Sequence, residues 1–237
     1  MNDRQILVVG GRTGIGRAVV DKLAPTDCRL NVVGRSGEFD AAAPNVTYHA
    51  CDLSGEGCRF DFLPDHLHGV VYCPGTIRLK PLARLTEADF LEDWQTNLMG
   101  AVRVLQACQN RLKKARGGAS VVLFSTVAVA AGMPFHASIA SAKGAVEGLM
   151  RSLAAEWAPR VRVNCIAPSL TDTPLAAGLL DGEAKRKAAA ERHPLKRIGS
   201  AAETADLAVF LLGEASAWIT GQVIGVDGGV STLRFTR

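Results

Sequence analysis

Seven short apolar runs, each followed by a longer segment, set the strongest limit on how this chain can fold. Residues 6–9, 30–33, 46–49, 70–72, 120–124, 162–166 and 223–226 are largely apolar at both odd and even positions. A strand covered on both faces needs that pattern; a half-exposed antiparallel strand would alternate. Helical patterns at 14–24, 86–112, 138–158 and 202–213 fill the gaps. The β-α-β alternation predicts an α/β fold: a Rossmann-type, doubly wound, seven-stranded parallel sheet with helices on both faces. Between Arg35 and Cys51 the chain is too short for a crossover helix of several turns, so that helix is expected to be stunted or absent. Residues 171–200, helix-prone and carrying Pro174 and Pro194, read as a mobile flap before the last helix-strand unit.

At 237 residues the chain can bury a full core, and 1–237 is read as a single domain. Hydrophobic residues at 48% against 21% charged exclude a disordered chain. Cys28, Cys51, Cys58, Cys73, Cys108 and Cys165 include no C-x-x-C pair, so reduced, buried thiols are expected, with neither a metal site nor a disulfide framework. No signal pattern opens the chain, and no run approaches the roughly 18 apolar residues of a membrane span, so a soluble, cytoplasmic protein is expected. The net charge of +4 lies in runs such as 111–116 and 185–192 with few interleaved aromatics. These read as solvated helix faces, and nucleic acid and membrane are not expected as partners.

Gly10, Gly11, Arg12, Thr13, Gly14, Ile15 and Gly16 follow the first strand directly and open a helix. Glycines so spaced permit a tight turn and let backbone N–H groups approach a pyrophosphate at the positive end of the helix. The strand-turn-helix setting makes this a dinucleotide site. Arg12 lies in the loop, and Arg35 and Ser36 follow the second strand, where an acidic residue would favour NAD. No carboxylate stands at those two positions, although Glu38 is near enough to turn inward. Guanidinium groups suit a 2′-phosphate, so NADP(H) is the expected cofactor.

Further segments carry a resemblance. Cys51, Asp52 and Leu53 follow the third strand; Cys73, Pro74 and Gly75 follow the fourth; Asn97 lies in Trp94-Gln-Thr-Asn97-Leu-Met-Gly. His136-Ala-Ser138-Ile139-Ala-Ser-Ala-Lys143-Gly opens a helix, and Asn164-Cys-Ile-Ala-Pro168-Ser169-Leu170 leads to Thr173. In this order, over essentially the whole length, the chain resembles a divergent member of the classical short-chain dehydrogenase/reductase family. The resemblance implies adenine contacts at Asp52 and Leu53 and a turn against the cofactor at Cys73 and Gly75. It also implies a nicotinamide-holding loop at Pro168, Leu170 and Thr173. Asn97 and Lys143 match two members of the family's catalytic tetrad, with Lys143 also holding the nicotinamide ribose. Small-molecule oxidoreduction and a homodimer or homotetramer built on the helix around 141–157 are further implications.

The tetrad departs from the family pattern at two places. Its serine falls on Thr126, with Ser125 beside it as a rival alignment, and its tyrosine falls on Ile139, which has no proton to transfer. Losing that donor is expected to cost roughly 10² to 10⁴-fold in rate unless another group acts. The candidates are His136, Ser138 and Lys143, the last through a water held by Asn97. Ser138 is turned about 100° from Ile139 on a helix. Two functions stand open: an NADP(H)-dependent oxidoreductase acting on a carbonyl or hydroxyl, and a catalytically silent NADP(H)-binding sensor or partner subunit.

Overall fold

The computed structural model describes residues 3–35, 37, 39–40, 43–53 and 58–234. β1 (Gln5–Val9), β2 (Arg29–Gly34), β3 (Val46–Ala50), β4 (Gly69–Tyr72), β5 (Ala119–Phe124), β6 (Val161–Pro168) and β9 (Val223–Val226) form one sheet in the order β3-β2-β1-β4-β5-β6-β9. Every neighbouring pair is parallel. Strand alternation explains the doubly apolar sequences. Leu7 and Val9 of β1 join Val121 and Leu123 of β5 in one buried cluster, while Ile6 and Val8 join Val122 and Phe124 in another on the opposite face. α3 (Gly100–Lys113) and α5 (Ala137–Trp157) cover the first cluster, with α4 (Ala128–Ala131) a single turn between β5 and α5; α1 (Gly14–Leu23) and α7 (Ala201–Leu212) cover the second.

Between β2 and β3 no helix occurs among the described residues, as expected. Asn45 takes over part of its work: its amide nitrogen lies 3.1, 3.0 and 2.7 Å from the carbonyl oxygens of Ala24, Thr26 and Cys28. The flap has a fixed base. β7 (Thr171–Asp172) pairs with β8 (Gly199–Ser200), and between them lie a 3₁₀ turn at Pro174–Leu179 and α6 (Glu183–Glu191). Ala176, Leu180 and Ala189 form the flap's own small core, with Leu170 and Ile198 against it.

Two expectations are corrected. The helix over 86–112 is interrupted: α2 (Glu87–Trp94) and α3 flank a π turn at Gln95–Met99. Apolar periodicity does not register one extra residue in a turn, but two residues account for it. The Tyr72 hydroxyl donates to the Thr96 carbonyl at 2.6 Å, and a Cβ at Gly100 would overlap that hydroxyl. The second correction is Cys51 and Cys58, whose sulfurs are joined, with Cα atoms 5.5 Å apart, a spacing that allows a bridge. Their spacing along the chain gave no sign of it. Cys28, Cys73, Cys108 and Cys165 form no disulfide among the described residues. Among the described residues no helix is long and apolar enough to cross a membrane.

Removing the Tyr72 hydroxyl leaves a carbonyl of the π turn without its partner. Tyr72→Phe is therefore expected to lower stability by about 1 to 2 kcal/mol, seen as a lower urea midpoint at unchanged m-value.

Candidate active site

The sheet order reverses between β1 and β4, so the loops after β1, β2, β4, β5 and β6 converge beyond the strand carboxyl ends. Gly10 and Gly14 have φ of +76° and +56°, which glycine adopts without strain. A Cβ at Gly16 would sit on the Gly10 carbonyl, so only glycine lets α1 start this close to β1. Thr13, the extended N-cap of α1, makes no side-chain cap, and the first turn holds no acid. The helix therefore presents backbone N–H groups and its positive pole outward, as a pyrophosphate requires. Pro74 packs against Gly10, a Cβ there lying 3.1 Å from it, and a Cβ at Gly14 would lie 3.5 Å from Thr173. The loops after β1, β4 and β6 thus meet, bringing Gly10, Gly14, Gly75 and Thr173 to one cleft.

Arg12 extends from the glycine loop to the turn after β2, its guanidinium over Gly37 where any Cβ would collide. Arg35 is exposed beside it; Ser36 and Glu38 lie outside the described residues. Three residues here were not singled out from the sequence. Phe39 stacks on Tyr48 with centroids 4.9 Å apart, and the Arg17 guanidinium lies 5.2 Å from the Phe39 ring. The alternating aromatic at 48 on an edge strand was the available signal. Asp52 is exposed, and Leu53 packs on the core with its carbonyl held by Arg103 at 3.1 Å.

At the other end of the cleft, Lys143 is buried on α5 and its Nζ donates to the Phe124 carbonyl at 2.9 Å. Burial lowers its pKa from 10.5 to about 8, with Cys165, Cys73 and Asp93 acting the other way. Asn97 sits in the π turn with Nδ2 donating to Thr76 Oγ1 at 2.9 Å and to the Asp93 carbonyl at 2.7 Å. Its Oδ1 is buried and has no partner among the described residues. A Cβ at Gly75 would lie 3.3 Å from Asn97 Oδ1 and 3.4 Å from Lys143 Nζ, so both atoms border the space that this glycine leaves open.

The remaining candidates divide. Ser125 is buried and donates to Glu147 Oε1 at 2.7 Å, a structural contact, while Thr126 is half-buried and its Oγ1 accepts from the Ala128 N–H at 3.3 Å. Ile139 is 5% exposed and lies one turn before Lys143 on the same face of α5. Ser138 is fully buried and donates to Asp93 Oδ2 at 2.5 Å, turned toward α2. His136 is the N-cap of α5, and its Nδ1 is 2.7 Å from the Pro134 carbonyl oxygen. Pro168 ends β6, with its carbonyl accepting from the Val127 N–H, and Leu170 packs on the flap core.

The profile of a family described as enoyl-(acyl carrier protein) reductase matches residues 9–231. Two tropinone reductase homologs of Arabidopsis thaliana are 36% and 35% identical, each over 97% of this chain and over 94% and 91% of their own lengths. A short-chain type dehydrogenase/reductase from Mycobacterium ulcerans superposes with a TM-score of 0.86 at 29% identity, covering 99% of this chain and 92% of that one. The chain belongs to the short-chain dehydrogenase/reductase family. ElxO, solved with NADP bound, shares the fold at 22% identity and a TM-score of 0.86, over 98% of this chain and all of that one.

The family consists of oxidoreductases that bind nicotinamide cofactors. The residues present fit such a group: an uncapped, acid-free helix start beneath a glycine loop, and an unpartnered buried acceptor on Asn97 at the far end of the cleft. Gly16→Ala pushes α1 away from Gly10 and is expected to abolish dinucleotide binding. Loss of the fluorescence change on NADPH titration, with circular dichroism retained, is the check.

Proposed function

We propose that this protein is an NADP(H)-dependent oxidoreductase acting on the carbonyl or hydroxyl of a small molecule, with Lys143 in place of the family's tyrosine as the proton source. The observation that carries this reading is the Lys143 amine, buried in the cleft with a pKa near 8 beside an unpartnered acceptor. A donor is most effective when its pKa lies near the working pH. The other two candidates are engaged elsewhere, Ser138 with Asp93 and His136 with the Pro134 carbonyl.

When bound, the nicotinamide supplies or accepts a hydride. In this reading, Arg12 and Arg35 hold the 2′-phosphate, the α1 N-terminus holds the pyrophosphate, and Thr173 closes over it from the flap side. Thr126 Oγ1 orients the substrate oxygen, Lys143 holds the proton that this oxygen takes up, and Ile139 keeps water from the position of the missing hydroxyl. The small-residue face of α5 takes a second copy of the chain: a Cβ at Gly148 would meet nothing within 4 Å. Sedimentation at dimer or tetramer mass is expected.

The second reading, a silent NADP(H)-binding sensor or partner subunit, is favoured by Ile139 filling the tyrosine position. NADPH binding followed by its oxidation with ketones, aldehydes and enones separates the two. The oxidoreductase reading expects turnover that falls by about a hundredfold in Lys143→Met and rises in Ile139→Tyr. Tight binding without turnover, or turnover indifferent to Lys143→Met, favours the silent reading. Arg35→Asp is expected to weaken NADPH binding by about tenfold or more while sparing NADH.

Because the ammonium is the donor, reduction should lose kcat/KM as pH rises through about 8. Stability moves the other way. Between about 8 and the ordinary lysine value of 10.5 the unfolded chain binds more protons than the native one, so this group's contribution to stability increases with pH there.

A further inference from the structure

Asp93 is a carboxylate with no exposure at all, and neither the binding cleft nor the core explains it. Its Oδ2 accepts from Ser138 Oγ at 2.5 Å and its Oδ1 from Thr76 Oγ1 at 2.6 Å, with Arg78 Nε 3.6 Å from Oδ1. A buried charge is costly unless bonded and paired, and these three groups compensate it. The other guanidinium nitrogens of Arg78 bond Asp89 and Glu92.

The arrangement has a direction. A hydroxyl has one proton to donate. Thr76 directs its proton to Asp93, so it offers only lone pairs to Asn97, and Asn97 Nδ2 donates to it. The second N–H of that amide goes to the Asp93 carbonyl. Turned over, the amide would set its oxygen against two acceptors. Oδ1 is therefore held on the side of Gly75, where Lys143 Nζ also arrives.

We propose that Asp93, acting through Thr76, is a positioning residue that fixes which way the Asn97 amide faces and so presents an acceptor oxygen toward the Lys143 ammonium. Its bond to Ser138 ties the same carboxylate to the first turn of the helix that carries Lys143. The proposal rests on Lys143 being the proton source: an ammonium gains from a fixed acceptor on this side, and a neutral amine does not. The ionisable groups around Nζ are Cys73 after β4, Cys165 on β6 and Asp93 on α2. Burial pushes both thiols up to about 12, so neither carries charge at neutral pH.

Thr76→Val deletes the hydroxyl without changing charge, and Thr76→Ser keeps it. In full-length protein labelled with ¹⁵N-lysine, the Nζ resonance of Lys143, assigned by its loss in Lys143→Arg, is titrated with and without NADPH. Thr76→Val is expected to lower the midpoint by about a unit and to shift the Asn97 side-chain amide signals, with Thr76→Ser restoring both. Asp93→Asn should lower the midpoint at least as far, and kcat should fall in both variants with KM little changed. Should the valine variant fail to fold, Thr76→Ala gives the same readout. A Lys143 midpoint unmoved in folded Thr76→Val overturns the proposal. A lowered midpoint in a protein that turns over no carbonyl supports the positioning role and defeats the oxidoreductase reading instead.

Discussion

The whole arrangement depends on a parallel sheet that is apolar on both faces. With Ile6 and Val8 committed to one layer and Leu7 and Val9 to the other, the central strand β1 has no face left for polar chemistry. Function is confined to where the strands end. The carboxyl ends of β1, β4, β5 and β6 then supply, in one cleft, a glycine turn, a proline-glycine turn, a threonine and a flap hinge. The close approach of α1 to β1, possible only because Gly16 lacks a Cβ, brings the helix start into that cleft.

Within the cleft two physical demands pull in opposite directions. One end of the cleft is walled by apolar side chains such as the buried Ile139. Yet it also holds a lysine and an amide whose polar atoms need partners. The protein meets this with one backbone carbonyl for Lys143 and a chain of hydroxyl and carboxylate groups behind Asn97. Burial lowers the Lys143 pKa to about 8, and Asp93 works against that fall.

Much of this was legible in the sequence because it follows from local rules. Largely apolar runs located all seven strands of the main sheet, the glycine spacing located the start of α1, and the short stretch before Cys51 predicted a crossover helix that is stunted or absent. What could not be read depends on residues far apart in the chain. The π turn needs Tyr72 to meet Gly100, and the Asp93 network joins α2, the loop after β4 and α5. Asp93 lies within a pattern that reads as an ordinary amphipathic helix, so its burial was invisible until α5 was packed against it. Ser125, the rival to Thr126 in the sequence, is engaged by a buried glutamate on the neighbouring helix.

The two-residue ladder between β7 and β8 closes the base of the flap, and the flap packs around Ala176, Leu180 and Ala189, not around either main core cluster. The segment thus has a core of its own. Substitutions, and even changes of length, between Asp172 and Gly199 can reshape one wall of the cleft while leaving the sheet and the glycine loop as they are. A fold divided this way can change what it accepts without renegotiating how it stands.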